Sequence, residues 1–188
     1  MLQKMIENSR TQGEAHRVEI NLRDVNQLFN TIDPSPFHEK DLDHDAEEFI
    51  VSWTREFPLS EPVVLVIYLR ELPGGKDFEP MMEQSVQNYF AYRARLTRME
   101  FRQLIKDGRQ SLLIGGLFLA ACLTVSNVLV GRAPGTFLSV ARESLTIAGW
   151  VAMWRPMQIF LYDWWPLRRR GRIYEKMSRM KVEVQKRE

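Results

Sequence analysis

The chain has 188 residues, a formal net charge of +2 and a single cysteine. This length suits one small domain plus a membrane hairpin and leaves no room for two large soluble domains of about 100 residues or more each. The small net charge does not by itself favour nucleic acid as a partner, and the lone Cys122 excludes a disulfide within the chain. Residues 1–15 are polar, lack the apolar stretch of a secretory signal and are predicted to form a flexible N-terminus.

Residues 16–75 carry the signals of a small α+β domain. Apolar and polar residues alternate over 17–22, which predicts a half-buried strand. The next apolar residues recur three and four apart, which predicts a short helix over 25–32 that ends before Pro34. Residues 62–69 are a nearly continuous β-branched run, which predicts a second strand, buried on both faces.

A second helix is predicted between these two strands. Asp45 and Glu48 match a capping box, in which each side chain satisfies a backbone N–H at the helix start. Pro58 would close this helix, and Trp53 would lie on its apolar face in the domain core. Gly74 and Gly75 then predict a turn. Two strands alone make a thin sheet that needs helices or a partner for stability.

Apolar residues are concentrated in the second half of the chain. Residues 76–110 predict a long juxtamembrane helix, and the run Leu112 to Val130 has no charged residue and approaches the about 20 residues needed to cross a bilayer. A transmembrane helix is therefore predicted over 111–131 and a second over 137–166. Because Pro156 removes a backbone donor, the second helix either spans fully or breaks at 155–156 and lies along the interface.

Basic residues flank the two apolar segments on the same side, which predicts an inner-membrane hairpin with both termini cytoplasmic. Residues 167–188 predict a basic amphipathic helix whose apolar residues recur at helical spacing. Its first turns contain a basic cluster that is expected to bind anionic headgroups: Arg168, Arg169, Arg170 and Arg172. Membrane or protein contact is favoured there over nucleic acid.

Candidate chemistry is sparse. Asp41, Asp43 and Asp45 are spaced like the first ligands of a calcium loop, but Ala46 stands where that loop needs glycine and Ser52 where it needs glutamate. His38 and His44, with Asp41, could be assembled into a transition-metal or acid–base site, but their spacing matches no metal motif. Neither a phosphate-binding loop nor a nucleophile elbow is found, so no cofactor and no catalytic residue are predicted.

Polar residues within the apolar segments are the more informative candidates. Arg155 is about 15 Å along a continuous helix from Trp165, which predicts a position near mid-bilayer. Asp163 is predicted to lie too far along the helix to reach it, so Arg155 is expected to face protein, either the first helix near Asn127 or another subunit. Gly115 and Gly116 could allow the close approach of another helix.

The segment Trp150 to Trp165 and the acidic stretch Asp33 to Glu48 resemble uncharacterised bacterial inner-membrane proteins of unknown function. The resemblance covers about two thirds of the chain and implies no activity. The sequence as a whole predicts an α+β protein, in which a small cytoplasmic domain of two strands and amphipathic helices is joined by a long helix to a two-helix transmembrane hairpin and a basic C-terminal helix.

Three functions follow from these features. A non-catalytic membrane-anchored adaptor, or subunit of a complex, is favoured because an anchor and a small domain are present without a catalytic constellation. A small homo-oligomeric transport or channel-like protein using Arg155 is the alternative, and an enzyme or metal site around His38 and His44 is the third. The expected partners are the bilayer and other membrane subunits or further copies of the chain.

Overall fold

A computed structural model describes residues 15–30, 34, 36, 40–70, 78–130 and 136–186. The protein is α+β, mostly helical, with a three-stranded parallel sheet and one long apolar helix. It divides into two compact units. Unit 1 comprises Met1–Leu96 and Arg170–Glu188, and unit 2 is the intervening Thr97–Arg169. The predicted turn at Gly74 and Gly75 and most of the predicted flexible N-terminus lie outside the described residues.

The sheet of unit 1 contains β1 (His16–Leu22), β2 (Val63–Leu69) and β3 (Lys181–Lys186), in the order β1-β2-β3. All pairs are parallel, with Val18 opposite Leu65 and Leu65 opposite Val182. Strands β1 and β2 match the sequence predictions to within one residue. The β-branched composition of β2 explains its central place, since a central strand packs on both faces.

The third strand was not predicted. The sequence analysis interprets residues 167–188 as one amphipathic helix, but this helix ends at Met177 and the chain continues as β3. The short run Lys181 to Val184 alternates polar and β-branched residues, which is a strand pattern that overlaps the helical spacing of Met177, Met180 and Val184. Pairing with β2 decides between the two patterns.

Helices cover one face of the sheet. They are α1 (His44–Glu56), the first part of α2 (Phe78–Val130) and the end of α5 (Trp164–Met177). Their inward residues form one core with the apolar side chains of the strands, and Ile50, Phe90 and Met177 are fully buried there. Trp53, predicted to lie in the core, is half-buried at its margin. Ile173 also packs in this core, so the apolar stripe predicted to face a membrane or partner is internal.

Two local predictions are corrected. Helix α1 starts two residues earlier than the predicted capping box, because the side chain of Asp43 caps it by accepting the N–H of Asp45 at 3.0 Å. The helix predicted over 25–32 is a 3-10 turn, Val25–Gln27, capped by Asp24. Its apolar residues Leu28 and Phe29 are nevertheless buried, as predicted from their spacing.

The outer edge of β3 is covered by polar side chains of α2. The backbone N–H groups of Val182 and Val184 donate to Glu83 and Glu79, each at 3.4 Å. One turn further on, Gln87 donates to the carbonyl oxygen of Met180 at 3.0 Å. These three α2 side chains pair groups that an edge strand would leave open to another chain.

The described residues of unit 2 are helical except for a turn at Met153. Unit 2 contains the second part of α2, then α3 (Thr136–Ala152), α4 (Trp154–Gln158), a π-helical turn (Ile159–Asp163) and the start of α5. The later part of α2 is long and apolar enough to cross a membrane, and only 17% of its most apolar window is buried. A core helix of a soluble protein would instead be mostly buried.

Helix α2 packs antiparallel to the following helices within unit 2. Ser126 lies 3.4 Å from Thr146 through their hydroxyl oxygens. Towards the start of α2, a Cβ at Gly115 would lie 2.9 Å from the carbonyl oxygen of Ala152, and a Cβ at Gly108 would lie 2.8 Å from Ile159. Glycine permits this close approach. By contrast, nothing lies within 4 Å of a Cβ at Gly116.

The two adjacent glycines provide a matched test of this packing. We expect Gly115→Ala to destabilise the helix pair by about 1 to 3 kcal/mol, because the backbone of Ala152 must move. Gly116→Ala should be neutral or slightly stabilising, since alanine favours a helix and meets no neighbour. Resistance of the helical circular dichroism to sodium dodecyl sulfate measures both variants, and equal behaviour of the two would contradict the contact.

Candidate functional site

A buried carboxylate, Glu47, joins three helices of unit 1. Glu47 is 7% exposed and lies on the inner face of α1. Its Oε2 accepts a hydrogen bond from the Tyr89 hydroxyl at 2.7 Å, and its Oε1 accepts from Arg93 Nε at 3.0 Å and from the Tyr174 hydroxyl at 2.9 Å. Tyr89 and Arg93 belong to α2 and Tyr174 belongs to α5. We call these four residues the Glu47 cluster.

Arg93 makes a second contact inside the cluster. Its Nη2 lies 3.4 Å from the Tyr174 hydroxyl, and its guanidinium stands 5.5 Å from the centre of the Tyr174 ring. Phe90 stacks on the other side of the network, with its ring 6.2 Å from that of Tyr174. The charge of Glu47 is therefore compensated by an arginine and two hydroxyl donors, as a buried carboxylate requires.

Burial and the Glu47 charge act together on the two tyrosines. Loss of solvation, followed by the hydrogen bond to Glu47, raises the pKa of Tyr89 far above its usual value of 10.0. The same causes raise the pKa of Tyr174, against the opposing effect of Arg93. For Arg93, burial lowers the pKa, but the contacts with Tyr174 and Glu47 outweigh it and the pKa is raised. Tyr89, Tyr174 and Arg93 thus stay protonated at neutral pH.

This arrangement favours a structural role for the Glu47 cluster. Both carboxylate oxygens are occupied by protein donors, so neither is left to take a proton from a substrate. Each donor comes from a helix other than α1, which ties α1 to α2 and α5 through charge-assisted hydrogen bonds. The cluster therefore holds together the helical layer that covers the sheet.

Sequence reasoning did not identify this cluster. Glu47 falls within the acidic stretch Asp33 to Glu48, and Tyr89 and Arg93 fall within the juxtamembrane helix predicted over 76–110, with no role predicted for any of the three. The one available signal is the place of Glu47 between Ala46 and Ile50, on the apolar side of α1. Nothing local links it to Tyr174, which is 127 residues later in the chain.

The predicted metal and acid–base candidates form no cluster of ligands among the described residues. His38 lies outside the described residues, and His44 and Asp41 are exposed at the start of α1 and just before it. Asp43, the middle acid of the calcium-like spacing, is used as the helix cap. No group of three or more metal-ligating side chains occurs in the described ranges.

The remaining histidine, His16, forms a pair that the sequence did not indicate. Its Nε2 pairs with the carboxylate of Glu61, and its ring stacks on Phe57 with 4.2 Å between the ring centres. Its Nδ1 is buried and has no hydrogen-bond partner among the described residues. The pair fastens β1 to the loop before β2.

Arg155 has a partner that sequence reasoning excluded. Its Nη1 lies 3.2 Å from Oδ2 of Asp163, although an α-helix would separate them by about 12 Å along its axis. The π-helical turn Ile159–Asp163 lies between them. A π-helix has a shorter rise per residue, and its wider turn rotates Asp163 towards the face of Arg155. The prediction that Asp163 lies too far along the helix to reach Arg155 was therefore wrong, and a contact of Arg155 with another subunit stays a prediction.

The predicted depth of Arg155 also changes. Arg155 follows Ala152 by about one helical turn, and Ala152 lies against Gly115. Arg155 is thus level with the start of the uncharged run on α2, rather than with its middle. Asn127 lies beside Ser126, which contacts Thr146, so Asn127 and Arg155 are far apart along the hairpin. The three predicted intramembrane residues do not form one site.

The basic cluster is exposed as predicted: Arg168, Arg169, Arg170 and Arg172. The guanidinium of Arg168 stands 5.8 Å from the centre of the Trp164 ring, and Trp164 packs edge-on against Trp165. Arginine beside tryptophan is typical of the boundary between a bilayer and water. The expected binding of headgroups by these arginines stays a prediction.

The Glu47 cluster predicts a clear stability difference between neighbouring glutamates. Glu47→Ala should cost about 3 kcal/mol, the low end for breaking a buried ion pair, because Arg93 is partly exposed. The exposed Glu48 on the same helix is the control, and Glu48→Ala should cost less than about 0.5 kcal/mol. Hydrogen exchange of the β2 amides in the full chain reports this difference as about a hundredfold loss of protection. Equal protection in both variants would show that the network does not stabilise unit 1.

The raised tyrosine pKa values predict a loss of stability in alkali. Because the folded state holds these protons more tightly than the unfolded state, their contribution is complete below about pH 10 and is lost as the pH rises through the folded-state pKa. Above pH 10 each tyrosine should lower the free energy of unfolding by about 1.4 kcal/mol per pH unit. Thermal unfolding against pH should be less steep for the Tyr89→Phe, Tyr174→Phe double variant than for Tyr92→Phe. Equal slopes would refute the assignment.

The chain matches no family model, no curated protein and no solved structure. The resemblance to uncharacterised bacterial inner-membrane proteins therefore stays a prediction.

Proposed function

We propose that this protein is a membrane-anchored, non-catalytic adaptor that presents its α+β unit to a protein partner at the inner face of a bacterial inner membrane. In this proposal unit 2 spans the membrane as a hairpin and both termini are cytoplasmic. The observation that carries this proposal is the difference between the two parts of helix α2. Its first part contributes Met82, Val86 and Phe90 to the core of unit 1, whereas its later part is apolar and largely exposed.

The exposed surface of unit 2 supports the anchor. Large apolar side chains are exposed along both helical segments, including Leu113, Leu117, Trp150 and Trp154. A contiguous apolar surface of this extent is unfavourable in water and favourable in hydrocarbon. The basic residues Lys106 and Arg109 on α2 and the exposed arginines from Arg168 onwards lie on the side expected to face the cytoplasm.

The second face of the sheet supports a partner for unit 1. Parallel sheets are usually covered on both faces, and the described helices cover only one. Val64, Val66 and Tyr68 of β2 lie on the other face, between polar residues of β1 and β3. Val66 is fully buried there, whereas Val64 and Tyr68 are half-buried. Arg17 and Glu183 form an ion pair across this face at 3.5 Å. An apolar centre with a charged rim is the arrangement of a protein-binding surface.

The same details do not favour the alternatives. Both carboxylate oxygens of Glu47 accept hydrogen bonds from side chains of the same chain. His44 and Asp41 are exposed, and the described residues contain no group of three metal-ligating side chains, so these features do not favour an enzyme. Arg155 is neutralised by Asp163, which weakens the argument for an ion pathway.

Photo-crosslinking from Tyr68, a half-buried residue on this second face, tests the adaptor function. A photoreactive benzoylphenylalanine in place of Tyr68 should capture one foreign protein in a one-to-one ratio in native membranes, whereas the same replacement of the exposed Tyr92 on α2 should not. Charge reversal on the same face, Glu19→Arg, should reduce the capture at least about tenfold, and Glu48→Arg on α1 should leave it unchanged.

Two outcomes would contradict the adaptor. Capture of a second copy of the chain alone would favour the homo-oligomeric alternative. No capture from Tyr68, with hydrogen exchange of β2 intact, would show that the open face of the sheet is not a protein-binding surface.

A further inference from the structure

One side of the helix pair in unit 2 concentrates exposed arginines. Arg102 and Arg109 of α2 are seven residues apart, which is two helical turns, so they lie on one stripe of the helix. Arg168 of α5 is also exposed. None of these three arginines forms an ion pair with a described residue. They are therefore cations without a counter-charge from the described part of the chain.

The contact at Gly108 identifies the side on which the α2 arginines lie. A Cβ at Gly108 would be 2.8 Å from Ile159, so these two residues mark the line along which α2 meets the opposite helix. Both helices are right-handed and they run antiparallel, so the residue that follows each contact residue lies on the same side of the pair. These two following residues are Arg109 and Phe160.

The third arginine reaches the same place from the opposite helix. Trp164 and Arg168 follow Phe160 at intervals of four residues and continue its stripe. The guanidinium of Arg168 stands 5.8 Å from the centre of the Trp164 ring, because a helical side chain leans towards the N-terminus of its helix. Trp164 lies about 7 Å from the glycine contact towards the start of α2, and this height falls between those of Arg102 and Arg109.

The acidic residues of the same segment do not neutralise these arginines. Asp107 precedes Gly108 and so lies on the opposite side of α2. Glu100 is seven residues before Asp107 and shares its stripe. Asp163 pairs with Arg155. Positive charge is thus concentrated on one side of the helix pair.

An open notch in the apolar surface continues the arginine stripe along α2. Gly116 is seven residues beyond Arg109, on the same side of the helix, and nothing lies within 4 Å of a Cβ built there. Ala120, one turn further on, is exposed and also small. Leu113 and Leu117 project beside the notch and are 64% and 66% exposed. A phospholipid has the same order of parts, an anionic phosphate followed by hydrocarbon chains.

We propose that unit 2 binds one anionic phospholipid on this side, with the phosphate between Arg102, Arg109 and Arg168 and an acyl chain in the notch at Gly116. Guanidinium groups donate paired hydrogen bonds to phosphate oxygens, and the Trp164 ring suits the headgroup region. Basic pockets between membrane helices on the cytoplasmic side bind lipid headgroups. Unlike the general attraction of a basic surface for a bilayer, this is one lipid molecule at a defined place.

Native mass spectrometry of the full chain in a mild detergent tests the site. Dioleoyl phosphatidylglycerol is the anionic probe, and dioleoyl phosphatidylethanolamine, which is net neutral, is the control lipid. We expect one phosphatidylglycerol to be retained in preference. Arg109→Gln and Arg168→Gln should each lower its affinity about fivefold. The adjacent Arg169→Gln should leave the affinity unchanged, because Arg169 is exposed and faces away from the Trp164 stripe.

The notch distinguishes a lipid from a soluble anion. Gly116→Leu fills the notch without meeting a neighbour in unit 2, so it should weaken the binding of phosphatidylglycerol several-fold and leave the helical circular dichroism unchanged. Unchanged lipid affinity in this variant, or displacement of the lipid by an equal concentration of inorganic phosphate, would show a site for a free anion and overturn the proposal.

Three further results would overturn it. Equal losses from Arg168→Gln and Arg169→Gln would show diffuse attraction in place of a site, and equal retention of the two lipids would show no selection of the anion. A photoreactive benzoylphenylalanine in place of Leu113 that captures protein instead of phospholipid in native membranes would show that a protein covers this side.

This inference rests on the membrane anchor proposed above, and the two fail separately. Release of the parent chain from native membranes by alkaline carbonate would refute the anchor and the lipid site together. A parent chain that resists carbonate, while all the variants bind phosphatidylglycerol as the parent does, would leave the anchor intact and remove only the lipid site.

Discussion

The parallel pairing of β2 with β3 is the constraint on which the rest of the structure depends. Two parallel strands such as β1 and β2 make only a marginal sheet, and β3 supplies the third strand from the far end of the chain. The intervening chain must leave unit 1 along α2 and return along α5 to reach this register. Helix α2 also pairs the outer edge of β3 through Glu79, Glu83 and Gln87. Helix α2, along which the chain leaves unit 1, thus covers the edge of β3, the strand formed after the chain returns.

The Glu47 cluster likewise joins the helix that leaves unit 1 to the helix that returns to it. Tyr89 and Arg93 lie on the outgoing helix, Tyr174 lies on the returning one, and all three donate to a carboxylate of α1. A buried ion pair of this kind adds little net stability over an apolar replacement but is costly to break. Its consequence is specificity: α2 and α5 can join unit 1 only in the arrangement that satisfies both oxygens of Glu47. This makes a non-catalytic role for the cluster physically coherent.

Unit 2 differs from unit 1, because its large apolar side chains are exposed on the outside and not buried in a core. Inward positions are occupied by small residues, such as Gly115 against Ala152 and Gly149 against Cys122, so that the helices pack closely. Surface and packing depend on different physical interactions, one with the surrounding solvent or lipid and the other with the neighbouring helix.

The sequence by itself determined the features that depend on neighbouring residues. Strands β1 and β2, the end of α1 before Pro58, the long helix and its apolar run all follow from periodicity and proline chemistry. The tertiary structure decided what depends on distant residues: that Lys181 to Lys186 pairs as a strand instead of extending a helix, and that Glu47 turns inward to Tyr174. It also decided that a π-helical turn brings Asp163 to Arg155, and that Arg155 is level with the beginning of the α2 apolar run. A short segment such as Lys181 to Lys186 fits both a helical and a strand pattern. Long-range contacts select between the two, and a local pattern does not identify the distant residues that make those contacts.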